Sequence, residues 1–231
     1  MGDTRELGKG LEKNMDVAIK LKGGLKIVLR KGVFIPDKES FYFIEVIKRF
    51  IYAKKKYIHS IAEIGTGSGI ISVSIASEFP NIKVYGFDTS SKAVKLTRDN
   101  ALMNGVKLQL FKNRDGIWVD APKSVRADLI VSNPPYVGDW EYFSETFRKD
   151  YPDFDYQPVG ALRSYDAEGI RAYVEIFKAA KRRKTRYIIF RCNTHSTDRI
   201  KQVLMEAGCI SARKLMSSTK RSHYLLVTLL P

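Results

Sequence analysis

From Ser60 onward the chain alternates short apolar runs with helix-length stretches, the rhythm of a parallel β-sheet covered on both faces. Strands are expected at residues 60–64, 83–88, 107–112, 128–132, 186–191, 210–215 and 224–229. Helices fall between them at 69–78, 91–104, 167–180 and 197–207, the second ended by Gly105 and the last by Gly208. Seven strands with intervening helices make one complete α/β domain over residues 58–231. In its first helix Ile70, Val73, Ile75 and Ala76 are too dense for a single apolar stripe, so that helix should be well buried.

Residues 1–57 differ in character and read as an extension. Residues 17–21 and 25–33 form a hairpin around Lys22-Gly23-Gly24, Ile35-Pro36-Asp37 makes a turn, and 40–53 a helix. The other irregular stretch, 138–163, carries Trp140, Tyr142, Phe143, Phe147, Tyr151, Phe154 and Tyr156. That many aromatics suit a lid or wall packed over a site rather than a linker.

With 231 residues, 44% of them hydrophobic, the chain can bury a core without covalent staples. Cys192 and Cys209 form no CxxC pair, and only His59, His195 and His223 are available beside them, so no metal site is expected. Both thiols read as reduced and the protein as cytoplasmic. No apolar run approaches the ~18 residues of a membrane span. The net charge of +15 is unevenly spread: residues 1–60 contribute +7, residues 61–150 nothing and residues 151–231 the remaining +8. Such flanks suit a polyanionic partner such as RNA. Equally, Lys54-Lys55-Lys56 and Lys181-Arg182-Arg183-Lys184 sit near helix ends, where cations complement the helix dipole.

Glu63-Ile64-Gly65-Thr66-Gly67-Ser68-Gly69 follows the first strand of the α/β domain and opens a helix. Glycines here let the chain turn sharply and let backbone approach a ligand. The dinucleotide fingerprint is not met, because Ile70 stands where its third glycine belongs, and no Gly-Lys-Ser/Thr completes a phosphate-binding loop. An acidic residue before a G-x-G-x-G loop suits S-adenosylmethionine, which is cationic at its sulfonium and amino group and carries no phosphate. Cofactor contacts are therefore expected from Glu63, Gly65, Thr66, Gly67 and Gly69. Asp88, ending the second strand, can accept both hydroxyls of a ribose. Asp115, after the third strand, is the candidate for the adenine amino group.

Asn133-Pro134-Pro135-Tyr136 follows the apolar strand that ends at Ser132. Two prolines remove two donors and fix φ, leaving a stiff turn with outward carbonyls. The Asn133 side-chain oxygen and the Pro134 carbonyl can each accept one N–H of a planar –NH₂ group, with Tyr136 packing on its plane. This would hold a poorly nucleophilic nitrogen in line with a sulfonium methyl, so Asn133, Pro134, Pro135 and Tyr136 are the candidate catalytic residues, and Asn133 also borders the cofactor.

In these motifs the chain resembles the class I S-adenosylmethionine-dependent methyltransferases, and within them the HemK/PrmC family of glutamine N5-methyltransferases that modify release factors. The likeness runs from about Gly32 to Cys209. Beyond the motifs above it includes Gly32-Val33-Phe34-Ile35-Pro36, Gln157-Pro158-Val159-Gly160-Ala161-Leu162 and Asp166-Ala167-Glu168-Gly169-Ile170. It implies a Rossmann-like seven-stranded α/β fold with a short N-terminal hairpin-plus-helix extension. It also implies that Asn133 and Pro134 hold a glutamine amide and that Tyr136 lines its pocket. Three departures stand out. The first strand arrives too early for the helical substrate-recognition domain of bacterial members, Gln157 replaces a usual Glu, and Phe190-Arg191-Cys192-Asn193 replaces a Glu-containing stretch. Short relatives that also lack the helical domain include some that work with a small zinc-binding subunit.

Two substrates remain open on these grounds. One is a glutamine of a translation release factor, favoured by the segments around Gln157 and Asp166. The other is the exocyclic amine of adenine or guanine in ribosomal or transfer RNA, favoured by the basic flanks. A non-catalytic nucleoside- or RNA-binding module is a third class, and it would bind cofactor without turnover.

Overall fold

In the computed structural model the described residues are 16–113, 122, 124–138, 157–164, 166–215 and 222–230. Among them are nine strands and six helices. The hairpin comes first, β1 (Val17–Lys20) paired antiparallel with β2 (Lys26–Leu29), followed by helix α1 (Lys38–Ala53). Then come β3 (Ser60–Ile64), α2 (Ile70–Glu78), β4 (Lys83–Asp88), α3 (Ser91–Met103), β5 (Gln109–Lys112) and β6 (Leu129–Ser132). The chain continues through the short α4 (Val159–Leu162), α5 (Arg171–Arg182), β7 (Tyr187–Asn193), α6 (Thr197–Glu206), β8 (Ser211–Leu215) and β9 (Ser222–Thr228).

Strands β3 to β9 form one seven-stranded sheet in the order β5-β4-β3-β6-β7-β9-β8. Strands β3 to β7 run parallel, and β9 inserts antiparallel between β7 and β8. Strand order reverses between β3 and β6, so their carboxyl ends part and leave the crevice where open α/β sheets take ligands. The expected seven strands are all present, and the boundaries moved by up to two residues.

Two apolar layers cover the sheet. On one face Ile61, Leu129, Val131 and Ile189 meet α1 and α2 through Phe43, Ile47, Ile51, Val73 and Ile75. On the other, Ala62, Ile64, Ile130, Ile188 and Phe190 meet Tyr173, Ile176, Phe177, Ile200 and Leu204 of α5 and α6. Residues 70–76 of α2 are buried on every side, as their density foretold. Helix α1 starts with a reciprocal cap: Asp37 accepts the Ser40 N–H and the Ser40 hydroxyl accepts the Asp37 N–H.

The extension is fastened by side-chain amides. Asn100 of α3 accepts the Val28 N–H at 2.8 Å and donates to the Val28 carbonyl at 2.9 Å, and Asn104 does the same for Lys26. Asparagines four apart on a helix thus serve as strand partners for residues two apart on β2. Ile27 and Leu29 of that strand lie in the same apolar layer as α1. At the helix end after Phe177, the Lys181 ammonium donates to the Ala207 carbonyl and Arg183 to the carbonyls of Pro122 and Val125. Two of the four cations in that basic run therefore cap neighbouring chain. No described helix is long and apolar enough to cross a membrane.

Candidate active site

The turn from β3 into α2 is held by hydrogen bonds to the neighbouring strand and helix. Gly65 and Thr66 donate backbone N–H groups to the Phe87 carbonyl at 2.7 and 3.2 Å. Thr97 of α3 donates to the Gly67 carbonyl and Asn100 to that of Ser68. Asp88, at the end of β4, accepts the Gly67 N–H at 2.9 Å through Oδ2 and the Ser90 N–H at 2.8 Å through Oδ1. Burial raises its carboxyl above the ordinary value, and the N–H groups of Gly67, Ser90 and Thr89 offset part of that rise. Each oxygen keeps a second lone pair for a hydroxyl.

Glu63 is 2% exposed and turned toward α2, where Oε2 accepts the Ser72 N–H at 3.0 Å and the Ser72 hydroxyl. It satisfies the helix N-terminus that the side-chain-less cap Gly69 leaves open. Burial pushes its carboxyl up to about 8, the Ser72 bonds act the other way, and the nearby Asp88 charge adds to the rise.

Asn133 begins the rigid turn after β6. The Ser132 hydroxyl donates to the Ile64 carbonyl at 2.7 Å and locks the end of β6 to that of β3. Behind the turn lies a brace: Val137 donates to the Leu162 carbonyl and accepts from Ser164, each at 3.0 Å. A Cβ on Gly169 would collide with the Tyr136 carbonyl, so the segment reaches the turn backbone to backbone. Asp166 fixes this brace by accepting the N–H groups of Gly169, Ile170 and Arg171 ahead of α5. The stretches around Gln157 and Asp166 are therefore the support of the Asn-Pro-Pro-Tyr turn.

One cavity of about 660 Å³ joins both halves, within the size range of small-molecule sites. Glu63, Gly65, Thr66, Gly67, Asp88, Asn133, Pro134 and Pro135 all line it. Tyr136 does not; it packs against the small apolar cluster of Val137 and Leu162. Gly69 likewise stands outside the lining, with φ +78°, and a Cβ there would come within 2.6 Å of Thr97 Cγ2. It is a packing glycine at the α2–α3 contact. Asp115 and the aromatic stretch from Trp140 to Tyr156 lie outside the described residues. A smaller hollow of about 350 Å³, between Arg98, Leu102 and Leu110, holds none of the motif residues.

Several shielded polar atoms lack a partner among the described residues: Asn133 Oδ1, the Thr66 and Ser68 hydroxyls, and both amide atoms of Asn113. Each costs about 1–3 kcal/mol unless something pairs with it. Thr66, Ser68 and Asn133 border the cavity, and a Cβ on Gly65 would meet nothing within 4 Å. A glycine cradle, a carboxylate at the strand end and unpaired hydroxyls fit a nucleoside such as that of S-adenosylmethionine. Asn113, 1% exposed and just past β5, was missed by motif reading; a lone amide directly after a strand was its only signal. Arg191 was missed as well. It is 3% exposed on β7, and its two terminal nitrogens donate to the Asp37 carboxylate at 2.8 and 2.5 Å.

Residues 24–148 match the family described as the methyltransferase small domain, a span that crosses the boundary expected near residue 57. Among curated proteins, the release factor glutamine methyltransferase of Dictyoglomus turgidum is 37% identical over 136 residues, 58% of this chain and 47% of that one. The protein of the same name from Fusobacterium nucleatum is 30% identical over 185 residues, 79% of this chain and 50% of that one. The chain thus spans about half the length of the curated relatives it matches. Among solved structures, the hMettl16 catalytic domain in complex with the MAT2A 3'UTR hairpin 1 superposes with a TM-score of 0.71 at 13% identity, covering 88% of this chain and 75% of that one. That likeness is one of fold. The seven-stranded sheet, the cavity at its switch point and the match over more than half the chain lead to one conclusion: the chain belongs to the methyltransferase small domain family of class I S-adenosylmethionine-dependent methyltransferases.

Proposed function

We propose that this chain methylates the side-chain amide nitrogen of a glutamine in a translation release factor, as a cytoplasmic enzyme. The observation that carries the reading is Asn133 Oδ1, a shielded acceptor without a partner among the described residues, on a cavity shared with the glycine loop and Asp88. The names of the two bacterial relatives supply the substrate class.

S-adenosylmethionine, when bound, supplies a methyl group on a positively charged sulfur. Asp88 offers its free lone pairs to the ribose, and Gly65 and Gly67 let the chain pass close beneath the ligand. Asn133 Oδ1 accepts one N–H of the target amide and the Pro134 carbonyl the other. An amide lone pair is delocalised into its carbonyl, so orientation and exclusion of water carry the rate; such effects reach about 7–11 kcal/mol in favourable cases. No side chain has to remove a proton first, because the attacking nitrogen becomes acidic as the methyl arrives.

An exocyclic amine of adenine or guanine in RNA is the second reading, favoured by the net charge of +15. Labelled S-adenosylmethionine incubated with a purified release factor and, separately, with unmodified ribosomal and transfer RNA separates the two. Label on a release-factor glutamine is the expected result. Label on RNA alone would keep the Asn133 chemistry and replace the substrate, and the small zinc-binding subunit used by some short relatives is a further arm of the assay.

A further inference from the structure

Two side chains far apart in the sequence, Gln157 and Arg191, grip the same short piece of the extension. Gln157, just ahead of α4, accepts the Ile35 N–H at 2.9 Å and donates to the Ile35 carbonyl at 3.1 Å. Arg191 binds Asp37 bidentately, and the same guanidinium reaches the Ser40 hydroxyl at 3.5 Å and, through Nε, the Ser222 hydroxyl at 3.2 Å. Both grips demand particular chemistry. A carboxylate at 157 has no hydrogen to give the Ile35 carbonyl, and a lysine at 191 has no planar fork.

The gripped piece is part of the cavity. Val33, Phe34 and Ser40 all line it. Phe34 Cβ is 3.6 Å from where a Cβ on Gly67 would stand, and Phe34 also packs against the small apolar cluster of Val137 and Leu162. It therefore lies beside Gly67 of the glycine loop on one side and beside Val137, which directly follows the target turn, on the other. Arg191 directly follows Phe190, the register partner of Ser132, and so stands at the level of Asn133. A buried ion pair adds little net stability over well-packed apolar side chains of similar volume, whereas its geometry fixes a location.

We propose that residues 33–40 form a fixed third wall of the cavity, with Phe34 covering the cofactor at the glycine loop, and that Arg191 and Gln157 are positioning residues that hold this wall. The proposal rests on the reading of the cavity as an S-adenosylmethionine site, but not on the identity of the methyl acceptor. Both grips join residues more than a hundred positions apart, so the extension is a working part of the site and not only a cover for the sheet.

The test is S-adenosylhomocysteine binding by calorimetry on the full chain, at a temperature where thermal unfolding shows each variant folded. Phe34→Ala, Arg191→Met and Gln157→Glu should each weaken binding by about tenfold or more, as expected when the support of a binding contact is removed. Arg191→Met combined with Phe34→Ala should bind no more weakly than Phe34→Ala alone, because Arg191 acts through Phe34. A purely structural role for Arg191 would lower the melting temperature, leave the affinity unchanged and overturn the proposal; multiplying losses in the double variant would also overturn it. If Arg191→Met does not fold, Gln157→Glu carries the test alone, and wild-type affinity there is the contrary result. Wild-type chain that binds S-adenosylhomocysteine but labels no release factor would sink the proposed substrate and leave this result standing. Wild-type chain that binds none would overturn the wall and the cofactor site together.

Discussion

Asp88 Oδ2 accepts the Gly67 backbone N–H at 2.9 Å, so the acid proposed to receive a ribose also fixes the backbone of the glycine loop. Removing it acts twice. Asp88→Ala should weaken S-adenosylmethionine binding by about a hundredfold, through the lost ribose contacts and the loosened Gly67. Asp88→Asn, which keeps one acceptor oxygen, should fall between it and wild type. Calorimetry checks both, and wild-type affinity in the alanine variant would remove Asp88 from the site.

Two glycines of one loop should fail differently. Gly65 and Gly69 have φ of +81° and +78°, where an alanine is strained by about 1–2 kcal/mol. A Cβ on Gly65 enters open cavity, whereas one on Gly69 meets Thr97 at 2.6 Å from Cγ2 and 3.0 Å from Cα. Gly69→Ala should therefore add an overpacking cost of about 1–3 kcal/mol and show the larger drop in denaturation midpoint. Gly65→Ala should stay folded and lose cofactor affinity. Equal midpoints for the two variants would contradict the assignment of Gly69 to packing.

Glu63 gives stability a pH slope of known sign. Its carboxyl is raised from the ordinary 4.5 to about 8 by burial. Between these values the folded chain keeps a proton that the unfolded chain releases, so stability falls as pH rises through that window and levels off above it. Glu63→Gln keeps an oxygen for the Ser72 N–H and never ionises, so its slope should be flatter. Urea midpoints at about pH 5 and about pH 8 measure this. Equal slopes in the two proteins would place the titration elsewhere.

The fold was legible because its signals are local. Apolar runs, glycine punctuation and the strand-end positions of Glu63, Asp88 and Asn133 all lie within a few residues of the elements they mark. Gly69 looked like its neighbours Gly65 and Gly67, and only the packing of α2 on α3 shows that its partner is Thr97. The fastening of the extension was not legible, since Asn100 meets Val28 and Gln157 meets Ile35 across 72 and 122 residues. Arg191 carried a usable signal: a cation in a buried strand, directly after the apolar run Ile188-Ile189-Phe190, must find a buried anion. The sequence could not say that the anion is the helix cap Asp37, 154 residues away.

The proposed transfer depends on Asn133 Oδ1 as the acceptor that holds the target nitrogen. The most direct measurement is methyl transfer to a purified release factor by Asn133→Ala, with cofactor affinity measured by calorimetry on the same preparation. Transfer should fall by about a hundredfold or more while S-adenosylmethionine binds near its wild-type affinity. Transfer at the wild-type rate, or a parallel loss of cofactor binding, would contradict it.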